Sequence, residues 1–411
     1  MSEKLKCGLI GKTLGHSYSP QIHAELGDYD YSLFELLENE LEDFVRSDKF
    51  HGANVTIPYK IAVIPYLDEV SPEAARIGSV NTIVHTADGR LKGYNTDYYG
   101  FGYMLDLAGI DVKGKKVLVL GSGGASLTAR TLLSDRGAGE VVVISRSGEN
   151  NYSNLYLHAD ADVIVNTTPV GMYPNNGQSP VELGLFPNLL GVADIIFNPS
   201  KTRLLLQAEE RGIKCAGGLS MLVAQAKAAS EYFAGTKIDD GEIARITAKI
   251  EMQMKNIALV GMPGCGKSTV GKVIAGKCGR EFVDLDAVIV ERAGMPIPEI
   301  FAKYGETYFR QLETEALAEV SKRSALVIAT GGGTVIKEEN RRLLRQNSTT
   351  VFIKRDIGNL PKDGRPVSQA NSLEELYRTR LPFYLDAAEL EIELSETPEE
   401  SANKILESVG L

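Results

Sequence analysis

Short apolar runs recur along the chain, separated by polar segments with helical spacing. Residues 5–10 predict a buried strand closed by Gly11, and residues 53–57 and 82–85 predict two more. A helical pattern follows over 98–108. Residues 116–120, KVLVL, are near-continuously apolar, as strands inside parallel sheets are. They meet Gly121-Ser122-Gly123-Gly124-Ala125-Ser126, after which a helix is predicted through Leu133. Further buried strands are predicted at 141–144, 163–166 and 192–197. Strands spaced by helices predict a doubly wound α/β domain. A charged, helix-prone stretch at 237–255 comes next, with Asp239 and Asp240 placed to begin a helix. Beyond it, 257–260 opens a second strand–loop–helix series, with strands at 326–329 and 350–353. The boundary falls near Met254.

Composition narrows this picture. At 411 residues the chain exceeds one core, and at ~150 residues per domain it holds two or three. Apolar residues at 43% and charged residues at 24% exclude a disordered or fibrous class. No apolar run approaches the ~20 residues of a membrane-spanning helix. The opening MSEKLKCGLIG lacks a secretory pattern. Four cysteines without a CxxC pair argue against a disulfide framework or zinc site, and predict a cytoplasmic protein. The net charge of −10 makes nucleic acid a poor partner. No membrane partner is expected, and self-association stays open. Affinity for anions must come from local constellations.

Such constellations are present. Gly261-Met-Pro-Gly-Cys-Gly266-Lys267-Ser268 has the GxxxxGK[ST] spacing that aims backbone N–H groups at phosphates, Lys267 at the β/γ-phosphates and Ser268 at Mg²⁺. Asp284 and Asp286 alternate along a predicted strand end, which would point both carboxylates one way. One suits Mg²⁺ and the other a hydroxyl proton. Arg310 and Arg380 suit a carboxylate fork, and Gly331–Gly333 permit close approach to a ligand. In the first half, Gly121-x-Gly123-x-x-Ser126 follows a strand and opens a helix, as a dinucleotide turn does. Arg146, flanked by Ser145 and Ser147 where an acid would favour NAD, favours NADP. Lys60 and Asp97, read singly, are ordinary surface charges; an amine beside a carboxylate in a closed site can move the proton that accompanies hydride transfer. Ser17 and Ser19 place two hydroxyls on alternate residues. The five histidines show no metal spacing.

Residues 5–250 resemble shikimate dehydrogenase through GHSYSPQIHAELG, GANVTIPYK, SVNTIV, GYNTDYYGF, GSGGAS, VNTTPVGM and GLSMLVAQA. The resemblance implies a two-lobed α/β dehydrogenase: a substrate-binding lobe over 1–104, a Rossmann-like NADP lobe over 105–217, and closing helices with a linker over 218–252. It implies that Ser17, Ser19, Thr56, Asn81 and Gln225 hold the substrate, and that Lys60 and Asp97 are the catalytic pair. Gly121, Gly123, Gly124 and Ala125 would approach the pyrophosphate, Arg146 the 2′-phosphate, and Gly218 and Met221 the nicotinamide. Phe197 replaces the usual tyrosine, and the crossover over 147–161 is short, so its helix should be short or absent.

Residues 255–395 resemble shikimate kinase through VGMPGCGKST, DLD, YFRQLE, ATGGG, GRP and RLPFY, implying a P-loop α/β domain with a parallel sheet over 253–411. Asp286 would bind shikimate and act as base, with Arg310, Arg380, Gly332 and Gly333 around the ring. Gly261, Gly264, Cys265, Gly266, Lys267, Ser268 and Thr269 would surround ATP, and Asp284 would join Ser268 at Mg²⁺. Arg365 and Lys267 would stabilise the transferring phosphoryl. The implied function is NADPH-dependent reduction of 3-dehydroshikimate to shikimate, then ATP-dependent phosphorylation to shikimate 3-phosphate. NAD-linked quinate oxidation, or one half retained as a binding or regulatory module, is the alternative.

Overall fold

The computed structural model describes residues 4–15, 17–359 and 373–411. Contacts divide the chain into two units. The first comprises residues 1–172, 178–197 and 202–250; the second comprises 173–177, 198–201 and 251–411. The 250/251 boundary lies inside the helix Gly241–Met254.

The first unit carries two sheets. One contains β1 (Lys6–Gly11), β2 (Asp30–Glu35), β3 (Gly52–Val55), β4 (Glu69–Val70), β5 (Thr82–His85) and β6 (Leu91–Tyr94), in the order β2-β1-β3-β5-β6-β4. The strands β1, β2 and β3 are parallel, whereas β5 runs against both β3 and β6. The ends of β1, β3 and β6 therefore meet the start of β5 at one edge. The other sheet contains β7 (Lys116–Leu120), β8 (Glu140–Ile144), β9 (Val163–Asn166), β10 (Gly191–Asp194) and β11 (Lys214–Gly217). Its order is β11-β10-β9-β7-β8, with every pairing parallel.

Alternation explains why these strands read as unbroken apolar runs. Leu118, Leu120, Ile164 and Val192 pack on one face of the second sheet. Val117, Val119, Val163, Val165 and Ala193 pack on the other. Both faces are core, each fully buried aliphatic side chain contributing ~1.5–3 kcal/mol.

The second unit holds β12 (Asn256–Val260), β13 (Glu281–Asp284), β14 (Leu326–Ala329), β15 (Ser348–Lys354) and β16 (Leu390–Glu393). Its five-stranded parallel sheet has the order β13-β14-β12-β15-β16. Both units are α/β with predominantly parallel sheets, as the sequence predicts.

Three local expectations are corrected. The helix expected from Tyr98 begins at Thr96, because the Asn95 side chain caps it by accepting from Tyr98 N. The strand expected to reach Phe197 ends at Asp194, whose side chain holds the following turn by accepting from Ile196 N at 3.1 Å. Asp284 and Asp286 are not strand neighbours. Asp284 ends β13 and caps the helix Leu285–Ala293, accepting from Asp286 N. The short crossover between β8 and β9 contains a single 3₁₀ turn, Leu155–His158, as its length implies.

Candidate functional sites

In the first unit the topology collects the polar residues at one edge of the mixed sheet. Thr56 and Lys60 follow β3, Asn81 precedes β5, and Asp97 sits in the first turn of the helix after β6. Lys60 Nζ donates to Asp97 Oδ2 at 2.6 Å, with side chains 20% and 11% exposed. That is enough shelter to hold the pair in one geometry and enough opening to meet a ligand. Thr56 lies beside β1 through its N–H, which donates to Ile10 O. Ser19 N donates to Ser17 Oγ at 3.2 Å in a local turn that starts the helix Ser19–Leu26.

A buried neutral network stands behind this edge. Asn81 Oδ1 accepts from Thr96 N at 2.7 Å, and Asn81 Nδ2 donates to Thr96 Oγ1 at 3.1 Å. Thr96 Oγ1 is also 3.4 Å from Gln225 Oε1, and Gln225 Nε2 donates to Leu222 O. Asn54 continues the network, donating to Thr82 Oγ1 and accepting from the Tyr31 hydroxyl at 2.8 Å. Asn54 shares one side of the strand end with Thr56, as the alternation in NVTIPYK predicts, whereas sequence reading missed Thr82 and Tyr31.

The dinucleotide turn lies where the second sheet reverses its strand order, between β7 and β9, the usual ligand crevice of such sheets. Gly121 has φ +105°, and a Cβ there would meet Thr167 Oγ1 at 2.9 Å. Gly123 caps the helix Gly124–Asp135, which contains Ala125. This helix adjoins the Lys60–Asp97 region, since Asn95 Nδ2 reaches Thr128 Oγ1 at 3.4 Å. Arg146 is exposed just beyond β8 at the sheet edge. Gly218 follows β11, its N–H donating to Ile196 O at 2.9 Å, and a Cβ there would strike Ile195 O. Met221 is buried in the core beside Phe101. Phe197 meets the Tyr18 ring edge-on at 6.1 Å.

Two buried titratable groups lie close to these sites. Asp194 accepts from Asn166 Nδ2, Ile196 N and Thr202 Oγ1. Burial pushes its carboxyl up to about 7 against the pull of those donors. His23 is buried on the inner side of the Ser19–Leu26 helix, its Nδ1 2.7 Å from the Tyr29 hydroxyl, and burial pushes its pKa down to about 3.

In the second unit the loop after β12 adopts left-handed glycine conformations at Gly261, Gly264 and Gly266. Lys267 is folded onto its own loop, Nζ donating to Gly261 O and Met262 O at 2.9 Å. Ser268 Oγ donates to Asp284 Oδ2 at 2.7 Å. These belong to a pocket of about 600 Å³, also lined by Gly264, Gly266, Thr269, Asp286, Arg310, Gly332, Gly333 and Arg380. Gly261 and Cys265 shape the loop without lining the pocket, and Cys265 is buried. Arg365 falls outside the described residues.

The arginines are held from behind. Arg310 Nη1 donates to Glu313 Oε2 at 2.8 Å, and Glu313 Oε1 accepts from Thr334 Oγ1 at 2.7 Å. Burial works against the Arg310 charge, but Glu313 and Glu306 outweigh it and raise its pKa. Arg380 Nη1 donates to Gly332 O at 3.0 Å, which the buried Tyr384 hydroxyl also reaches. A Cβ on Gly333 would strike the Arg310 guanidinium, and one on Gly332 would strike Pro263. Sequence reading missed Glu313, although its i,i+3 spacing from Arg310 on one helix was the signal. It also missed the apolar wall of Val290, Ile297, Phe301 and Phe309.

The donor sets suit the implied groups. Ser268 and Asp284 offer adjacent hard oxygens of the kind Mg²⁺ takes beside phosphates. Gly121 and Gly123 leave the close approach a pyrophosphate needs. Among the described residues no cluster of three His, Cys, Asp or Glu has metal-binding spacing, and no helix is long and apolar enough to cross a membrane.

Two α/β enzyme classes are thus joined in one polypeptide, a dinucleotide-binding dehydrogenase and a P-loop kinase. Residues 9–83 match the shikimate dehydrogenase substrate binding domain, and residues 263–410 match shikimate kinase. The NADP(+) shikimate dehydrogenase of Clostridium perfringens strain SM101 is 40% identical over 253 residues, covering 56% of this chain and 93% of its own. A chorismate mutase/shikimate 5-dehydrogenase fusion protein from Clostridium acetobutylicum superposes with a TM-score of 0.58 at 37% identity, covering 61% of this chain and 98% of its own. Shikimate 5-dehydrogenase from Thermus thermophilus, solved with NADP(H) and shikimate, gives 0.54 at 33%, covering 60% and 99%. The chain belongs to the shikimate dehydrogenase family and carries a shikimate kinase domain after it.

Proposed function

We propose that the chain catalyses two consecutive steps: NADPH-dependent reduction of 3-dehydroshikimate to shikimate, then phosphorylation of the shikimate 3-hydroxyl by MgATP. One observation supports both. In each unit a proton-handling carboxylate stands near a phosphate-binding glycine turn: Asp97 with Lys60 near Gly121–Ala125, and Asp286 beside Gly264–Thr269.

In the first unit bound NADPH supplies the hydride. Lys60 Nζ gives a proton to the carbonyl oxygen, and Asp97 Oδ2, 2.6 Å away, holds that ammonium in place. Ser17, Ser19, Thr56, Asn81 and Gln225 bind the carboxylate and ring hydroxyls, their order set by the network around Thr96. Arg146 takes the 2′-phosphate, which favours NADP over NAD. Gly218 and Met221 flank the nicotinamide.

In the second unit Asp286 accepts the proton of the 3-hydroxyl. Arg310 and Arg380 fork the ring carboxylate, with Gly332 and Gly333 letting the ring lie against the backbone. Lys267 exchanges the carbonyls of Gly261 and Met262 for phosphate oxygens, and Arg365 meets the transferring group. Ser268 and Asp284 hold Mg²⁺, which offsets phosphate charge. A cytoplasmic setting is supported by four cysteines, none of them in a disulfide among the described residues.

The test is direct. Purified chain given 3-dehydroshikimate, NADPH and MgATP should yield shikimate 3-phosphate by mass, and omission of MgATP should stop at shikimate. Faster turnover with NADH than with NADPH would overturn the cofactor assignment. No product beyond shikimate would overturn the kinase assignment.

A further inference from the structure

Asp194 plays no part in the chemistry above, yet it is a fully buried carboxylate surrounded by donors. Its Oδ1 accepts from Asn166 Nδ2 at 3.0 Å, at the end of β9, and from Ile196 N at 3.1 Å, just beyond β10. Its Oδ2 accepts from Thr202 Oγ1 at 2.7 Å, the cap of the helix Arg203–Glu210. Two of these partners, Asn166 and Ile196, lead on to the cofactor crevice. Asn166 Oδ1 accepts from Thr168 N and Thr168 Oγ1, and Thr167 and Thr168 crowd Gly121 of the dinucleotide turn. Ile196 O accepts from Gly218 N, at the opposite wall. Phe197, next in the chain, meets Tyr18 of the substrate loop.

We propose that Asp194 is a positioning residue for the nicotinamide cofactor, its carboxylate tying the loops after β9 and β10 into one wall of the crevice. The proposal rests on the dehydrogenase reading. A crevice that must present a hydride donor to a carbonyl tolerates little slack, since about 1 Å of misplacement costs on the order of 100-fold in rate. Three hydrogen bonds converging on one buried group fix two loops without contacting the ligand.

The test compares wild type with Asp194→Ala in the full chain, following steady-state kinetics, the isotope effect with NADPH deuterated at the transferred position, and kinase turnover. We expect KM for NADPH to rise ~10-fold, the size of about one hydrogen bond, because the three bonds lost at Asp194 are lost from the free enzyme too and only the looser crevice shows in KM. The isotope effect should change, KM for 3-dehydroshikimate should stay near the wild-type value, and kinase turnover should be unaltered. A variant that merely loses active fraction, with both KM values and the isotope effect unmoved, overturns the proposal. Should Asp194→Ala not fold, Thr202→Val decides: a raised KM for NADPH supports the tie and an unchanged one overturns it. Failure of the wild type itself to oxidise NADPH with 3-dehydroshikimate strikes the dehydrogenase reading instead, before any variant is made.

Discussion

The two sites solve the same recognition problem, a hydroxylated ring acid, with opposite electrostatics. Behind the dehydrogenase site lies a neutral network of Asn54, Asn81, Thr82, Thr96 and Gln225, with one ion pair, Lys60–Asp97, at its edge. The kinase pocket concentrates Lys267, Arg310 and Arg380 with Asp284, Asp286 and Glu313. Many of those groups already hold each other or the backbone. Hydride transfer moves little net charge across the protein, so pre-formed neutral hydrogen bonds suffice to order the substrate. Phosphoryl transfer brings several negative charges together, and on the proposed reading the cations gathered in this pocket would exchange their present partners for phosphate and carboxylate.

The comparison breaks most visibly in acid. All five histidines lie in the first unit, and burial holds His23 at about 3. The unfolded chain takes up that proton below ~6.5, whereas the fold does not until near 3, so the His23 contribution to stability is intact above ~6.5 and is lost toward pH 3. A depression of this size corresponds to roughly 5 kcal/mol at its limit. Asp194 works in the opposite sense, since its raised carboxyl takes up a proton in the fold below about 7, so the His23 contribution is read as the difference between wild type and variant in dehydrogenase activity recovered after graded acid exposure. His23→Phe should flatten the dehydrogenase's dependence; an equally steep loss in that variant would place the cause elsewhere.

Removing the proton-handling groups separates the halves completely. Positioned acid–base groups contribute ~10²–10⁴-fold, so Asp286→Asn should lower kinase turnover by about 10³-fold while leaving MgATP binding and NADPH oxidation intact. Lys60→Ala should lower reduction similarly and spare the kinase. Normal reduction in Lys60→Ala would sink the assignment of the proton donor.

The two glycine turns were legible because each carries its meaning locally. A glycine turn between a strand and a helix needs only adjacent residues to be recognised, and Lys267, Ser268 and Gly121 were read that way. The networks were not legible. Glu313 reads as one more surface acid until Thr334, twenty-one residues away, is folded onto it. Asp194 reads as the middle of an apolar strand until Asn166 and Thr202 converge on it. The alternation expected of Asp284 and Asp286 gave the right destination by the wrong route. A cap at Asp284 turns the chain into a helix, and the helix brings Asp286 to the pocket. Edge strands such as β2 and β16 lack apolar runs because one side faces water, so pattern alone passed over them.

Smaller effects sharpen the contrast between specificity by charge and specificity by shape. Arg146 is exposed at the edge of the second sheet. Its replacement in Arg146→Ala should raise KM for NADPH ~10–100-fold, the loss of a charge-assisted pair, and leave KM for NADH near its starting value. Equal effects on both cofactors would show that Arg146 orders the fold rather than reading the 2′-phosphate.

The smallest effect belongs to Glu313, which lies almost wholly buried behind Arg310 and touches it at 2.8 Å. Glu313→Gln keeps the shape and one acceptor but removes the charge that holds the guanidinium. Arg310 should then swing among Glu306 and solvent, and KM for shikimate should rise ~10-fold, about the value of one hydrogen bond to a charged group. KM for ATP should not move, because Glu313 bonds to Arg310 and Thr334 on the ring side of the pocket. The outcome separates two uses of buried charge. Were KM for ATP to rise with KM for shikimate, Glu313 would be tuning the field of the whole pocket rather than aiming one arginine, and the charged site would behave as a single unit where the neutral one behaves as separate bonds.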